Sequence, residues 1–205
     1  MSSNWITIGT VLIGAQVVGV SALAQEKSTA YRIQLSEISV QSPRSRRTDT
    51  DYAAISVQLG DTAARTVTRR IGDVGRGTKA INLSLSKVAV TPQGRLRVNW
   101  AIVNYGGERH AVLMQVLGKA IEGQTQENWM AQLSQGLSDV LEARKGSCDG
   151  PVSAASFEIT GAELSRQLRS GKPIRITRRQ RGMEAPSRCQ AKSDYSVTVV
   201  IFKEP

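Results

Sequence analysis

His110 is the only histidine in 205 residues. Any Ser–His or Cys–His scheme would have to use that one imidazole, and it falls at the start of a predicted helix, where a solvated role is the ordinary one. Zinc chemistry lacks ligands for the same reason. Aromatic residues make up only 4% of the chain. That is too few for a surface that stacks bases, so no sequence-specific nucleic-acid partner is expected. Cysteine is nearly absent as well. Cys148 and Cys189 stand alone, with no CxxC motif. These scarcities argue against an enzyme and against a resident cofactor, calcium being the one metal considered below.

Charge is missing from the first 24 residues. From Ile6 the chain reads ITIGTVLIGAQVVGVSALAQ, with small residues at Ala22 and Ala24 and a polar stretch after them. This is the pattern of a secretory signal peptide cut near Ala24, although its n-region carries no Lys or Arg. The alternative is an uncleaved single-span anchor, and only then would the membrane be a partner. The domain expectation is therefore 1–24 signal peptide and 25–205 a single globular domain, placed periplasmically or outside the cell. In an oxidising compartment the two cysteines are most economically read as a disulfide. It would close a loop of about 40 residues, worth roughly 4 kcal/mol in the chain-entropy model.

What the chain does have is positive charge. Its 27 basic and 17 acidic residues give +10. Outside the cytoplasm such a surface meets anionic lipid headgroups, anionic polysaccharide, teichoic or lipopolysaccharide phosphates, and extracellular DNA, the plainer reading being a solvated surface. Basic residues cluster at Arg44, Arg46 and Arg47, at Arg65, Arg69 and Arg70, and at Arg175, Arg178, Arg179 and Arg181. The last four follow and flank a predicted strand and form the candidate anion-binding patch.

Period-two alternation dominates both ends of the chain. Tyr31, Ile33 and Leu35 share one face, and Ile38 and Val40 fall out of phase, which predicts a bulge near Ser36–Glu37. Tyr52 to Leu59 reads as a strand stopped by Gly60-Asp61. Residues 81–90 and 95–103 make a hairpin around Thr91-Pro92-Gln93-Gly94. The period then lengthens. A helical insertion is expected at about 108–145, with Gly118 weakening its first helix and Arg144-Lys145-Gly146 stopping its second. Thr160-Gly-Ala-Glu163 has capping-box spacing and opens one short helix at about 161–169. Short strands are expected at 157–160, 173–179 and 193–202. The fold class is α+β, mainly β, with an antiparallel β-sandwich-like core.

The stretch RRTDTDY places Asp49 and Asp51 at the mouth of a strand. With Asp73 in the glycine turn GDVGRGT they are the one workable calcium trio, because Asp61 lies at the far end of the same strand. The plainer reading is that Asp49 and Asp51 hydrogen-bond the loop backbone or offset Arg46 and Arg47. GDVGRG lacks the GK[ST] ending of a phosphate loop and reads as a turn.

DTDY (49–52), GD (72–73), NYGG (104–107), CDGPV (148–152), TGAEL (160–164), APSRC (185–189) and SDY (193–195) occur in one order. That order resembles a group of uncharacterised secreted proteins with a DTDY…GD…NxG…CDG…SPxxC…SxY pattern. The resemblance implies that Cys148 pairs with Cys189, and it implies no activity. This chain departs from the pattern at Arg188, where a glycine is usual, and at Tyr105 and Gly107.

The leading expectation is an exported, non-enzymatic β-rich domain that binds a protein partner or a polyanionic envelope component. The alternatives are a calcium-dependent surface or membrane module using Asp49, Asp51 and Asp73, and a cryptic hydrolase built on a carboxylate pair.

Overall fold

A computed structural model describes residues 27–45, 47–122, 129–141, 147–181, 189 and 192–205. Among these residues eight strands form two antiparallel sheets. One has the order β4-β1-β8-β7 and the other β3-β2-β5-β6. The first contains β1 (Thr29–Ser42), β4 (Gly77–Val90), β7 (Ile174–Arg181) and β8 (Asp194–Lys203). The second contains β2 (Asp49–Leu59), β3 (Arg65–Val74), β5 (Arg95–Asn104) and β6 (Gly150–Thr160). The sandwich core and its mainly-β class match the expectation.

Alternation decides which side chains meet between the sheets. Ile33, Leu35, Ile55, Val57, Leu83, Leu85, Val98, Trp100, Val197 and Val199 point inward into one continuous core. On β1 the register against both neighbours shifts between Leu35 and Glu37. The bulge turns Ile38 and Val40 back inward, so a strand that is out of phase in sequence is in phase in space.

Sheet β3-β2-β5-β6 has a second apolar layer on its outer face. Tyr52, Ala54, Ala101 and Val103 pack there against Leu113, Leu117, Ile121, Leu133, Leu137 and Val140. These belong to α1 (His110–Ala120), α2 (Trp129–Gly136), α3 (Ser138–Leu141) and the turn residues beside them. Gly118 has a packing reason. A Cβ there would lie 3.3 Å from Thr68 Cγ2, so the missing side chain lets α1 lie close on β3. The expected stop at Arg144-Lys145-Gly146 lies outside the described residues.

β3 was not expected as a strand, and β2, β4 and β6 are longer than expected. GDVGRGT is mostly strand: β3 runs to Val74, only Gly75–Arg76 turn, and β4 starts at Gly77. β6 begins at Gly150 rather than Phe157. Pro151 is tolerated because β6 is an edge strand, hydrogen-bonded to β5 alone. The short helix is as expected. In α4 (Gly161–Gln167) the Thr160 side chain accepts from the Glu163 N–H.

Candidate functional site

β2 enters the sandwich beside the disulfide, and its first inward side chains are polar. Asp49 and Asp51 are on the inward face of β2, in line with Ala53, Ile55 and Val57, and both are fully buried. They are not a solvated strand entrance. Asp49 Oδ2 accepts the Arg44 N–H at 2.5 Å, and its Oδ1 accepts the Ser45 N–H at 2.6 Å. The carboxylate thereby organises the loop between β1 and β2, in line with the plainer sequence reading. From the opposite sheet Tyr195 on β8 reaches across. Its hydroxyl lies 2.7 Å from Asp49 Oδ2 and 3.0 Å from Asp51 Oδ2.

That hydroxyl has one proton and two carboxylates to serve. Burial, and next the neighbouring Asp49, push Asp51 well above the usual carboxylate range. The Tyr195 hydroxyl is thus shared between Asp49 Oδ2 and Asp51 Oδ2, and lies nearer to Asp49. Burial and the two carboxyl groups push the Tyr195 phenol up as well. Among the described residues Asp51 Oδ1 is buried with no hydrogen-bond partner, and so is Ser193 Oγ two residues before Tyr195.

The surrounding shell is assembled from loops far apart in sequence. Cys148 is bonded to Cys189, with sulfurs 2.02 Å apart. The pairing expected from sequence is present. The Cys148 carbonyl accepts Arg44 Nε at 2.9 Å and Asn104 Nδ2 at 2.8 Å. Asn104 Oδ1 accepts the Thr50 N–H at 2.9 Å. Asp149 Oδ1 accepts the Gly106 N–H at 2.9 Å. Gly150 has φ +150°, and a Cβ there would sit 2.9 Å from Arg44 Nη2, so the guanidinium occupies the space a side chain would need. On the outer face of the same sheet Tyr52 Oη lies 2.5 Å from His110 Nδ1, and the two rings stack 5.8 Å apart. The single imidazole is thus engaged with a tyrosine.

The structure brings Asp49 and Asp51 together and leaves Asp73 apart. Asp73 pairs with Thr50 and accepts its hydroxyl at 2.8 Å, on the face of β2 turned away from Asp49 and Asp51. Among the described residues no group of three His, Cys, Asp or Glu side chains is placed to hold a metal ion. Fully buried, Asp49 and Asp51 offer no surface to a glycoside or ester either.

The arginine patch is partly assembled. Arg175, Arg179 and Arg181 share the outer face of β7, and Arg178 belongs to the other face with Ile174, Ile176 and Gln180. Arg175 pairs with Glu37 of β1 at 3.2 Å. Arg179 grips Asp194 through Nε and Nη2 at 2.8 and 2.6 Å. That grip holds Asp194 below its usual range. Arg178 has no ion-pair partner among the described residues. Arg65 and Arg69 serve elsewhere, as described below, and Arg46 lies outside the described residues.

Sequence reasoning missed Tyr195, Arg44, Asn104 and Asp149 as one cluster. The only signal that could have joined them is the resemblance pattern: DTDY, NYGG, CDG and SDY all converge on this end of the sandwich.

The chain is thus a two-sheet antiparallel β-sandwich, with a buried diacid and tyrosine under a disulfide. No protein-family model matches it, and no curated protein sequence does. Among solved structures, the first-lettered C2 domain of a plant Extended Synaptotagmin 1 is similar at 5% identity and TM-score 0.37, over 88% of this chain and 99% of that one. Human GIVD cytosolic phospholipase A2 is similar at 10% identity and TM-score 0.37, over 87% of this chain and 17% of that one. At these scores neither likeness bears on function.

Proposed function

We propose that the chain is an exported binding domain, not a catalyst, which recognises an anionic partner through the outer face of sheet β4-β1-β8-β7. The disulfide supports an oxidising compartment. The observation that carries the reading is the contrast between the two outer faces. The described helices α1 to α3 cover the other sheet, through Tyr52, Ala54, Ala101 and Val103. None of the described helices packs on this one. Its side chains are polar and cation-rich. Arg32 lies over the Phe202 ring at 4.4 Å, and Gln34 bonds Asn82. Arg175, Arg179 and Arg181 line β7, set among the described residues against Glu37 and Asp194. An acidic surface docking here adds contacts to guanidinium groups that still have free N–H donors.

Heparin-agarose chromatography of the oxidised protein tests the charge reading. Retention at about 0.15 M salt, where the Debye length is near 8 Å, with earlier elution of an Arg175→Ser, Arg179→Ser, Arg181→Ser variant, is the expected result. Flow-through of the unmodified protein at that salt would remove the reading.

A further inference from the structure

A β-sandwich has two open sides, and among the described residues this one is tied more heavily at the first. There the edge strands β3 and β4 are tied by side chains that reach main-chain carbonyls. Arg65 donates to Ser86 O and Lys87 O at 3.0 and 3.3 Å. Arg69 donates to Ile81 O at 2.9 Å, and Lys79 to Asp73 O at 2.8 Å. On the second side β6 and β7 stand next to each other, tied among the described residues by Ser153 Oγ with Gln180 Oε1 at 2.9 Å. β7 is hydrogen-bonded along its length to β8 alone. Among the described residues nothing bonds the main-chain groups on its other edge.

We infer that the free edge of β7 is a docking site for an extended acidic polypeptide, which adds to sheet β4-β1-β8-β7 as a fifth strand. This rests on the anion-binding reading and names the partner's class. Strand addition supplies affinity through main-chain hydrogen bonds, and the side chains flanking the edge set the specificity. Those side chains define the occupant. On the outer face an added strand lies beside Arg175, Thr177, Arg179 and Arg181, where directly opposed carboxylates are stabilising. On the inner face it continues from Ile174 and Ile176, both half-buried against the core. The fitting segment therefore alternates acidic with apolar residues. The same arginines exclude the commonest competitor. A second copy of β7 would set arginine against arginine, so the edge resists self-pairing while it accepts an acidic strand.

The test uses the full-length oxidised protein and three probes. These are a capped eight-residue peptide alternating Val and Glu, the same peptide N-methylated at alternate residues, and heparin. N-methylation removes strand pairing and leaves the charge. The expected result is that the unmethylated peptide binds at least tenfold more tightly than the methylated one and slows hydrogen exchange of β7 amides. The Arg175→Ser, Arg179→Ser, Arg181→Ser variant loses at least tenfold in affinity for it. Equal binding of the two peptides, with no added protection in β7, overturns strand addition even if heparin binds and the anion reading survives. No binding of either peptide or of heparin overturns both.

Discussion

Asp49 and Arg179 are each held by two or more hydrogen bonds, yet the interior and the outer face of the molecule use charge in opposite ways. At the disulfide end the carboxylates are out of water, so their partners must come from inside the protein. Asp49 takes two main-chain N–H groups and a tyrosine hydroxyl, and the loop between β1 and β2 is built around it. On β7 the arginines are exposed, and water competes for each contact. The lesson is that the same kind of contact fixes structure when buried and leaves a surface available for partners when exposed.

Breaking the buried side should have the largest effect. Asp49→Ala orphans two N–H groups and the Tyr195 hydroxyl, and is expected to cost about 4 kcal/mol. In a chain of this length that lowers Tm by roughly 10 °C, which calorimetry reads directly. Tyr195→Phe keeps the ring and removes the shared hydroxyl, at an expected cost of about 1.5–3 kcal/mol in urea unfolding.

Asp51→Asn sharpens the comparison because its effect changes with pH. The raised pKa means that folded Asp51 keeps a proton that the unfolded chain releases above about pH 4. Its stabilising contribution is present below that pH and is lost as pH rises toward the folded value. The asparagine variant removes this slope. Urea midpoints at pH 4, 6 and 8 should converge on wild type at the acid end, and the variant should become relatively more stable toward pH 8. Parallel curves would show that burial does not raise the Asp51 carboxyl. The smallest stability effect belongs to Arg179→Ala, whose Tm should match wild type within error, while its elution from heparin moves to lower salt.

Much of the fold was legible where alternation is strong. The hairpin of β4 and β5 and the bulge of β1 follow from which residues are apolar. β3 was not legible, because its inward positions Arg65 and Arg69 look like solvated charges until β4's carbonyls are placed beside them. The start of β6 hid behind a glycine, a proline and small residues. At the site, Asp49 and Asp51 stood out in sequence, but their meaning depends on Tyr195, 146 and 144 residues away. No local pattern encodes such a contact. The basic run on β7 was visible as composition, and its division into an outer and an inner set needed the strand's pleat.

The antiparallel pairing of β1 with β8 sets Tyr31 opposite Lys203. Chain leading into β1 and chain leaving β8 therefore emerge at the same end of two neighbouring strands. A load applied between residues 28 and 204 would pull across the ladder, opening its hydrogen bonds one pair at a time, and would not shear them together. Tethered on one side and tugged on the other, this sandwich should unzip at low force, and single-molecule pulling from those two positions would record that force.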